Sequence, residues 1–253
     1  RRAWAYLSRV AEPPCASLAT LVGEFGPVAA AERVRRGDVP EALRVRTDAR
    51  RDVDCAAADL ENLDRRGGRL ITPDDDEWPE WMLMGFGRRE KPTSEDHPPM
   101  VLWVIGPENL ADVSQRAAAI VGTRACTAYG EHVATDLVAG LVERDVAVVS
   151  GGAFGIDGAA HRAALACDGV TVAVLAGGID VPYPSGHSAL LHRVARNGLL
   201  VSEYPPGVRP ARYRFLTRNR LVAGLSGATV VVEAGLRSGA ANTAGWARSL
   251  GRG

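Results

Sequence analysis

The sequence predicts an α/β fold: a mainly parallel, doubly wound sheet preceded by a small all-helical domain. Three observations predict it. From Met100 onward, short apolar runs alternate with helical patterns, the rhythm of βαβ units. Those runs are nearly continuously apolar rather than alternating, as in strands buried on both faces. Residues 1–65 instead carry apolar side chains at helical spacing, interrupted by glycine turns. The boundary therefore falls after residue 65, with a helical domain over 1–65 and an α/β domain over 66–253.

In the first part, Leu18, Leu21, Val22 and Phe25 form one stripe, which Gly26-Pro27 stops. A second helix is predicted from Pro27 to Arg36, ending at Gly37. Val53, Ala57, Leu60 and Leu63 make a third stripe, ended by Gly67-Gly68. Such short helices suit a plain packing domain and also a helix–hairpin–helix grip on a nucleic-acid backbone. Arg69–Thr72 reads as an edge strand and Asp74–Glu77 as an acidic turn. Trp78, Trp81 and Met84 predict a short helix that buries indoles, and Gly85–Pro99 an exposed loop. Strands follow at 100–105, 118–121, 146–149, 170–175, 199–202 and 229–232. Helices are expected after Arg124 (with Val133, Leu137, Val138 and Leu141 inward), from Ala159, over Ser188–Arg196, over Leu216–Leu225 and over Ala241–Leu250. A doubly wound fold would continue with another strand after Gly253, so a truncated C-terminus is expected.

Composition narrows the function. With 46% hydrophobic and 24% charged residues, the chain reads as a globular protein. No apolar run approaches the roughly 20 residues of a membrane span, and no signal peptide is legible at Arg1. A cytoplasmic protein with no membrane partner is predicted. Thirty basic and thirty acidic residues cancel. That excludes a histone-like binder but allows a local basic surface. Lys91 is the sole lysine, so basic contacts fall to arginine, which grips phosphate in bidentate fashion. Cys15, Cys55, Cys126 and Cys167 form no CxxC or Cys/His zinc pattern, so four reduced thiols and no metal are expected.

The stretch VAVVSGGAFGIDGAAH, residues 146–161, passes from buried strand through a glycine turn into a small-residue helix. Its helix N-terminus suits an anion, above all a phosphate. Four loops are expected to meet at the carboxyl ends of the strands: Gly122–Arg124, Ser150–Asp157, Gly177–Tyr183 and Glu233–Gly239. None carries GxGxxG or a Walker pattern, so no cofactor is predicted. Arg124 can contact a phosphate or pin a neighbouring carboxylate. Asp157 and His161 read as residues that hold the turn in shape, and no catalytic set is legible. The run Arg209–Arg220 holds five arginines and no acid, interleaved with Tyr213 and Phe215. Cations and rings together describe a single-strand binding surface. Ser238-Gly239 opens the last helix as a further anion site. Several phosphate sites on one rim fit a polymer better than a single nucleotide.

These residues together resemble the DprA/Smf family of bacterial DNA-processing proteins. The resemblance rests on Val121-Gly122-Thr123-Arg124 with Tyr129-Gly130, and on Ser150 to Asp157 with Ala160-His161. It continues through Gly178-Ile179-Asp180 with Tyr183-Pro184, Ser202-Glu203 with Pro205, and Phe215 with Arg218-Asn219-Arg220. Val232-Glu233-Ala234, Ser238-Gly239 and Thr243-Ala244 complete it. It is dense over 118–252 and looser over 69–117. It implies an extended Rossmann-like domain that binds single-stranded DNA and dimerises, preceded by a sterile-alpha-motif-like (SAM-like) domain. It also implies a protein without catalysis or cofactor, which protects incoming DNA in natural transformation and helps to load the RecA recombinase. By position, the DNA-contacting set would be Arg124, Ser150, Gly151, Gly152, Gly155, Arg218, Asn219 and Arg220, with Ser238 and Gly239 beside them. Replacing Arg218 and Arg220 by Ala would then weaken binding without unfolding. The chain departs from the family where Gly152-Ala153-Phe154 replaces a more usual Leu-Ala-Arg run, and where Leu216-Thr217 replaces a proline. The alternatives are a nucleotide phosphoribohydrolase of the lysine-decarboxylase-like group, whose PGGxGTxxE motif neither 176–180 nor 233–235 matches, and a nucleotide-sensing module.

Overall fold

Runs such as Ala117–Val121 (AAAIV) and Thr171–Leu175 (TVAVL) offer water no polar face, so they lie inside a sheet covered on both sides. In the computed structural model, which describes all residues except 89–92, 94, 236 and 237, seven strands form one sheet. They are β1 (Gly68–Ile71), β2 (Leu102–Ile105), β3 (Ala117–Val121), β4 (Ala147–Ser150), β5 (Thr171–Leu175), β6 (Leu199–Ser202) and β7 (Ala228–Val231). The order is β1-β2-β6-β5-β4-β3-β7. From β6 to β7 all neighbours are parallel, while β2 runs antiparallel to both β1 and β6. The α/β class with a mainly parallel sheet is thus the observed one. β1 is the edge strand expected near 69–72, and β7 forms the other edge.

Between the parallel strands run α7 (Ala128–Val142), α8 (Ile156–Ala166), α9 (Ser188–Asn197) and α10 (Arg212–Gly224), with α11 (Gly239–Ser249) after β7. Successive side chains of a strand point to opposite faces. Accordingly Ala173 and Leu175 share a core with α9, while Val172 and Val174 pack with α10 and α11. Ile120 and Val148 close a third cluster with α7 and α8. The N-terminal helices α1 (Arg2–Val10), α2 (Ala16–Arg36), α3 (Glu41–Thr47) and α4 (Ala56–Asp64) join the first of these cores. Burial is therefore continuous across residue 65. Two short helices, α5 (Glu80–Leu83) and α6 (Leu110–Gln115), complete the chain.

Gly26, with φ 75° and ψ 164°, breaks α2 into two rods at the predicted stop, and Gly37 in left-handed conformation ends the second as expected. Two local expectations change. Val53 lies before α4 and is exposed, so the third stripe starts later than its spacing implied. Around α5, Met82, Leu83 and Phe86 are buried and Trp78 packs half-buried against the core, while Trp81 and Met84 are exposed, so one of the two expected indoles is buried. The predicted loop Gly85–Pro99 and the loop Glu233–Gly239 lie partly outside the described residues. The four cysteines are free thiols. Among the described residues, no helix is long and apolar enough to cross a membrane, and no three His, Cys, Asp or Glu side chains gather as for a metal.

Candidate nucleic-acid interface

β3 lies between β4 and β7, the two strands that continue the chain in opposite directions across the sheet. At such a switch point the loops diverge and leave a crevice beyond the carboxyl ends of the strands. A cleft of about 780 Å³ opens there. It is lined by the loops after β3, β4 and β5, by the first turns of α10 and by the start of α11.

The glycine loop after β4 carries its own anion. Asp157, in the first turn of α8, accepts hydrogen bonds at Oδ2 from the backbone N–H of Gly151 (3.1 Å) and Ala153 (3.4 Å). The Ile156 N–H is taken by the Thr123 carbonyl at 3.2 Å. A bound phosphate would have to displace these partners. Gly155 has φ 74°, and a Cβ there would collide with the carbonyl oxygens of Thr123 and Arg124. Its role is to let two loops touch. Burial pushes the Asp157 carboxyl upward, opposed by the Arg218 guanidinium and by the two amides.

Arg218 reaches across the cleft floor and donates through Nη1 to the carbonyls of Gly151 (2.7 Å) and Val174. A side chain at 151 would strike this guanidinium, which accounts for glycine there. Burial lowers the Arg218 pKa, and the charge of the Asp157 carboxylate opposes that. Asn219 donates to the Gly239 carbonyl and to Asn242 Oδ1, both at 3.2 Å, and joins α10 to α11. Ser238 caps α11 by accepting from the Ala241 N–H. His161 is fully buried. The Thr171 hydroxyl donates to the Val148 carbonyl, so it must accept from His161 Nδ1–H, at 2.7 Å. Burial draws the imidazole down to about 3.

The rim carries cations and rings together. The Arg124 guanidinium lies 5.2 Å from the Phe215 ring centre, and Tyr183 lies 5.4 Å from the same ring. Phe154 stands edge-on to His187 at 4.6 Å and shares a small recess with Arg124, Tyr183 and Phe215. Both Phe154 and Tyr183 are 47% exposed. Among the described residues no carboxylate pairs with Arg124 or Arg212. The charged groups lining the cleft are three arginines (124, 212, 218) and one aspartate (157), a local excess of two positive charges on a chain of zero net charge.

Comparison with known proteins fixes the lineage. The family model for DNA recombination-mediator protein A matches residues 69–253. The chain belongs to this family. A relative from Mycobacterium tuberculosis, provisionally named as a DNA processing protein DprA, is 71% identical over 99% of this chain, which spans 65% of that relative. The structure of DprA from Streptococcus pneumoniae superposes with a TM-score of 0.75 at 28% identity, covering 98% of this chain and 82% of that one. DNA processing protein A from Helicobacter pylori, a structure that addresses its single-stranded DNA binding mode, matches with a TM-score of 0.59 at 31% identity, covering 67% and 74%. The DprA/Smf resemblance read from the motifs is therefore correct.

Within this family frame, the cleft gathers Arg124, Gly151, Arg218, Asn219, Ser238 and Gly239 from the expected contact set, together with Asp157. The other four expected contacts lie outside the lining of the cleft. Ser150 is fully buried and donates its hydroxyl to the Ile120 carbonyl at 2.6 Å, because it ends a central strand and faces β3. Gly152 is buried, with its carbonyl bound by His187 Nδ1 at 3.1 Å. Gly155 is occupied by the loop after β3. Arg220 is 0% exposed and donates through Nη2 to Glu203 at 2.6 Å, on the face of α10 turned from the cleft. The arginine run also lacks free charge at Arg214, which Glu12 clamps at 2.6 and 2.9 Å from 202 residues away. The predicted set omitted Arg212, Phe154 and Tyr183. Arg212 stood inside the basic run. Phe154 and Tyr183 were visible only as an aromatic beside each loop's glycines.

Proposed function

We propose that this chain binds single-stranded DNA along the cleft, with phosphates against Arg124 and Arg212 and bases stacked on Phe215, Tyr183 and Phe154. The observation that carries this reading is Arg124, unpaired by carboxylate among the described residues and laid beside Phe215, with Tyr183 against the same ring. Guanidinium for phosphate and ring for base is the general solution for single strands. Arg218, Asn219, Ser238 and the glycines at 151 and 239 shape the floor. The carboxylate of the cleft, Asp157, is engaged with two backbone amides, which favours binding over hydrolysis.

The Helicobacter pylori neighbour, described by its single-stranded DNA binding mode, supports the same choice of ligand. In this reading the protein acts in DNA recombination from the cytoplasm without catalysis or cofactor. It protects incoming DNA in natural transformation and passes it to RecA. It dimerises through the α/β domain of 66–253, with residues 1–65 as a SAM-like domain.

The test moves from the pair Arg218 and Arg220 to Arg124 and Arg212, because removing Arg220 would strand a buried carboxylate. Arg124→Ala with Arg212→Ala, folded by circular dichroism, is expected to weaken oligothymidylate binding by about tenfold or more at low salt. Unchanged affinity would sink the assignment.

A further inference from the structure

A second concentration of positive charge lies where the N-terminal helices meet the α/β part. A recess of about 270 Å³ is walled by Arg9, Arg50, Arg209 and Arg214, with Glu12 as the acid among them. Arg9 is held by Asp59 at 2.7 Å and by the Pro206 carbonyl, so it serves the fold. Arg214 is clamped by Glu12 in bidentate fashion. Arg50 pairs loosely with Glu12 Oε2 at 3.6 Å, donates to the Arg9 carbonyl at 3.4 Å and keeps 46% of its side chain exposed. Among the described residues Arg209 has no carboxylate partner, and it is exposed. One carboxylate, Glu12, thus stands against three arginines (50, 209 and 214) and pairs with two of them, leaving an excess of two positive charges.

This recess adjoins the cleft. Pro210 and Arg212 line the cleft, while Arg209 and Arg214 line the recess. The start of α10 is the ridge between them. On that ridge Tyr213 is 53% exposed, and its hydroxyl donates to Glu12 at 3.1 Å. The Arg214 guanidinium lies 5.3 Å from the same ring. A ring between two cationic recesses is a place for a base to cross while the flanking phosphates stay neutralised.

We propose that a DNA strand leaving the cleft crosses Tyr213 and sets its next phosphates against Arg209 and Arg50, so that the N-terminal helices form part of the DNA path. This rests on the cleft reading above and extends it by a second phosphate subsite. The class of ligand is the backbone phosphate of a single strand too long for the cleft alone. Glu12 fixes Arg214 and Tyr213 in position, and Arg209 and Arg50 remain available to the phosphates.

The experiment compares oligothymidylates of about six and about twenty nucleotides, lengths that fill one site or overrun it. Binding is measured against salt for the intact chain and for Arg50→Ala with Arg209→Ala. The six-nucleotide strand is expected to bind both proteins alike. The twenty-nucleotide strand should bind the variant about fivefold or more weakly, with a log–log salt slope reduced by about 1.4, two contacts' worth. Arg50→Lys with Arg209→Lys should restore the slope. Equal effects on both lengths, or none on either, would overturn the inference while leaving the cleft intact. Absence of binding by the unaltered protein to either length would overturn the cleft reading and this one with it. Inorganic phosphate that erases the length dependence more than chloride of equal ionic strength would assign the recess to a free anion, and would also overturn it.

Discussion

Arg218 and Arg220 stand two residues apart on α10 and meet different surroundings. Arg218 faces the cleft floor, bonded to two carbonyls. Arg220 faces away into a buried pair with Glu203. Removing one partner of such a pair leaves an uncompensated buried charge. Arg220→Ala is therefore expected to cost about 3–5 kcal/mol of stability in urea unfolding. If stability were unchanged, the pair would not matter to the fold. At the rim, Phe215→Ala should weaken oligothymidylate binding by about 1–3 kcal/mol with the salt slope intact. Arg124→Ala should instead lower the slope by about 0.7. Equal slopes for the two variants would refute this division between ring and cation.

His161 gives a pH dependence with a definite sign. In the fold its pKa lies near 3, against an ordinary 6.5. Below about 6.5 the unfolded chain takes a proton that the folded chain refuses, so this group costs stability as pH falls toward about 3. The loss is up to about 1.4 kcal/mol per pH unit. Stability curves from pH 7 to 5 should be flatter for His161→Gln than for the parent. Identical curves would show that the imidazole does not titrate in this way.

Among the elements, the strands were legible because burial on both faces leaves them nearly continuously apolar. All seven β-strands lie within two residues of the runs that announced them. The helices from α7 onward were legible from their place between the strands, even where nearly every residue is buried, as in α8. α1 was not singled out, although its polar Arg2 and Arg9 stand against buried Trp4, Tyr6, Leu7 and Val10. The basic run misled for a different reason. Its acids, Glu12 and Glu203, come from other elements, and Glu12 lies some 200 residues away. The glycine loop looked open because its internal anion, Asp157, reads equally well as a cap. This loop matters through its fit to the neighbouring one. Gly155→Ala should lower stability by more than about 1 kcal/mol and displace Arg124, seen as weaker DNA binding. A variant with full stability and affinity would contradict that packing.

Over the whole molecule the charges cancel, and function depends on their arrangement. The cleft holds three arginines against one aspartate, and the adjoining recess three against one carboxylate. The doubly wound sheet creates this concentration by ending five parallel strands on one rim, and α10 extends it toward the N-terminal helices. A surface of spaced arginines and exposed rings matches a flexible single strand, whose bases can leave their stack to meet the rings, better than a stiff duplex. The central claim is that affinity comes from phosphate contacts to a single strand in this cleft. Its most direct test is a salt titration of single-stranded against double-stranded oligonucleotide binding by the unaltered chain. The account predicts tighter single-strand binding at every salt concentration, with log affinity falling linearly by about 0.7 per contact per log of salt. Equal binding of the two forms, or an affinity indifferent to salt, would contradict it.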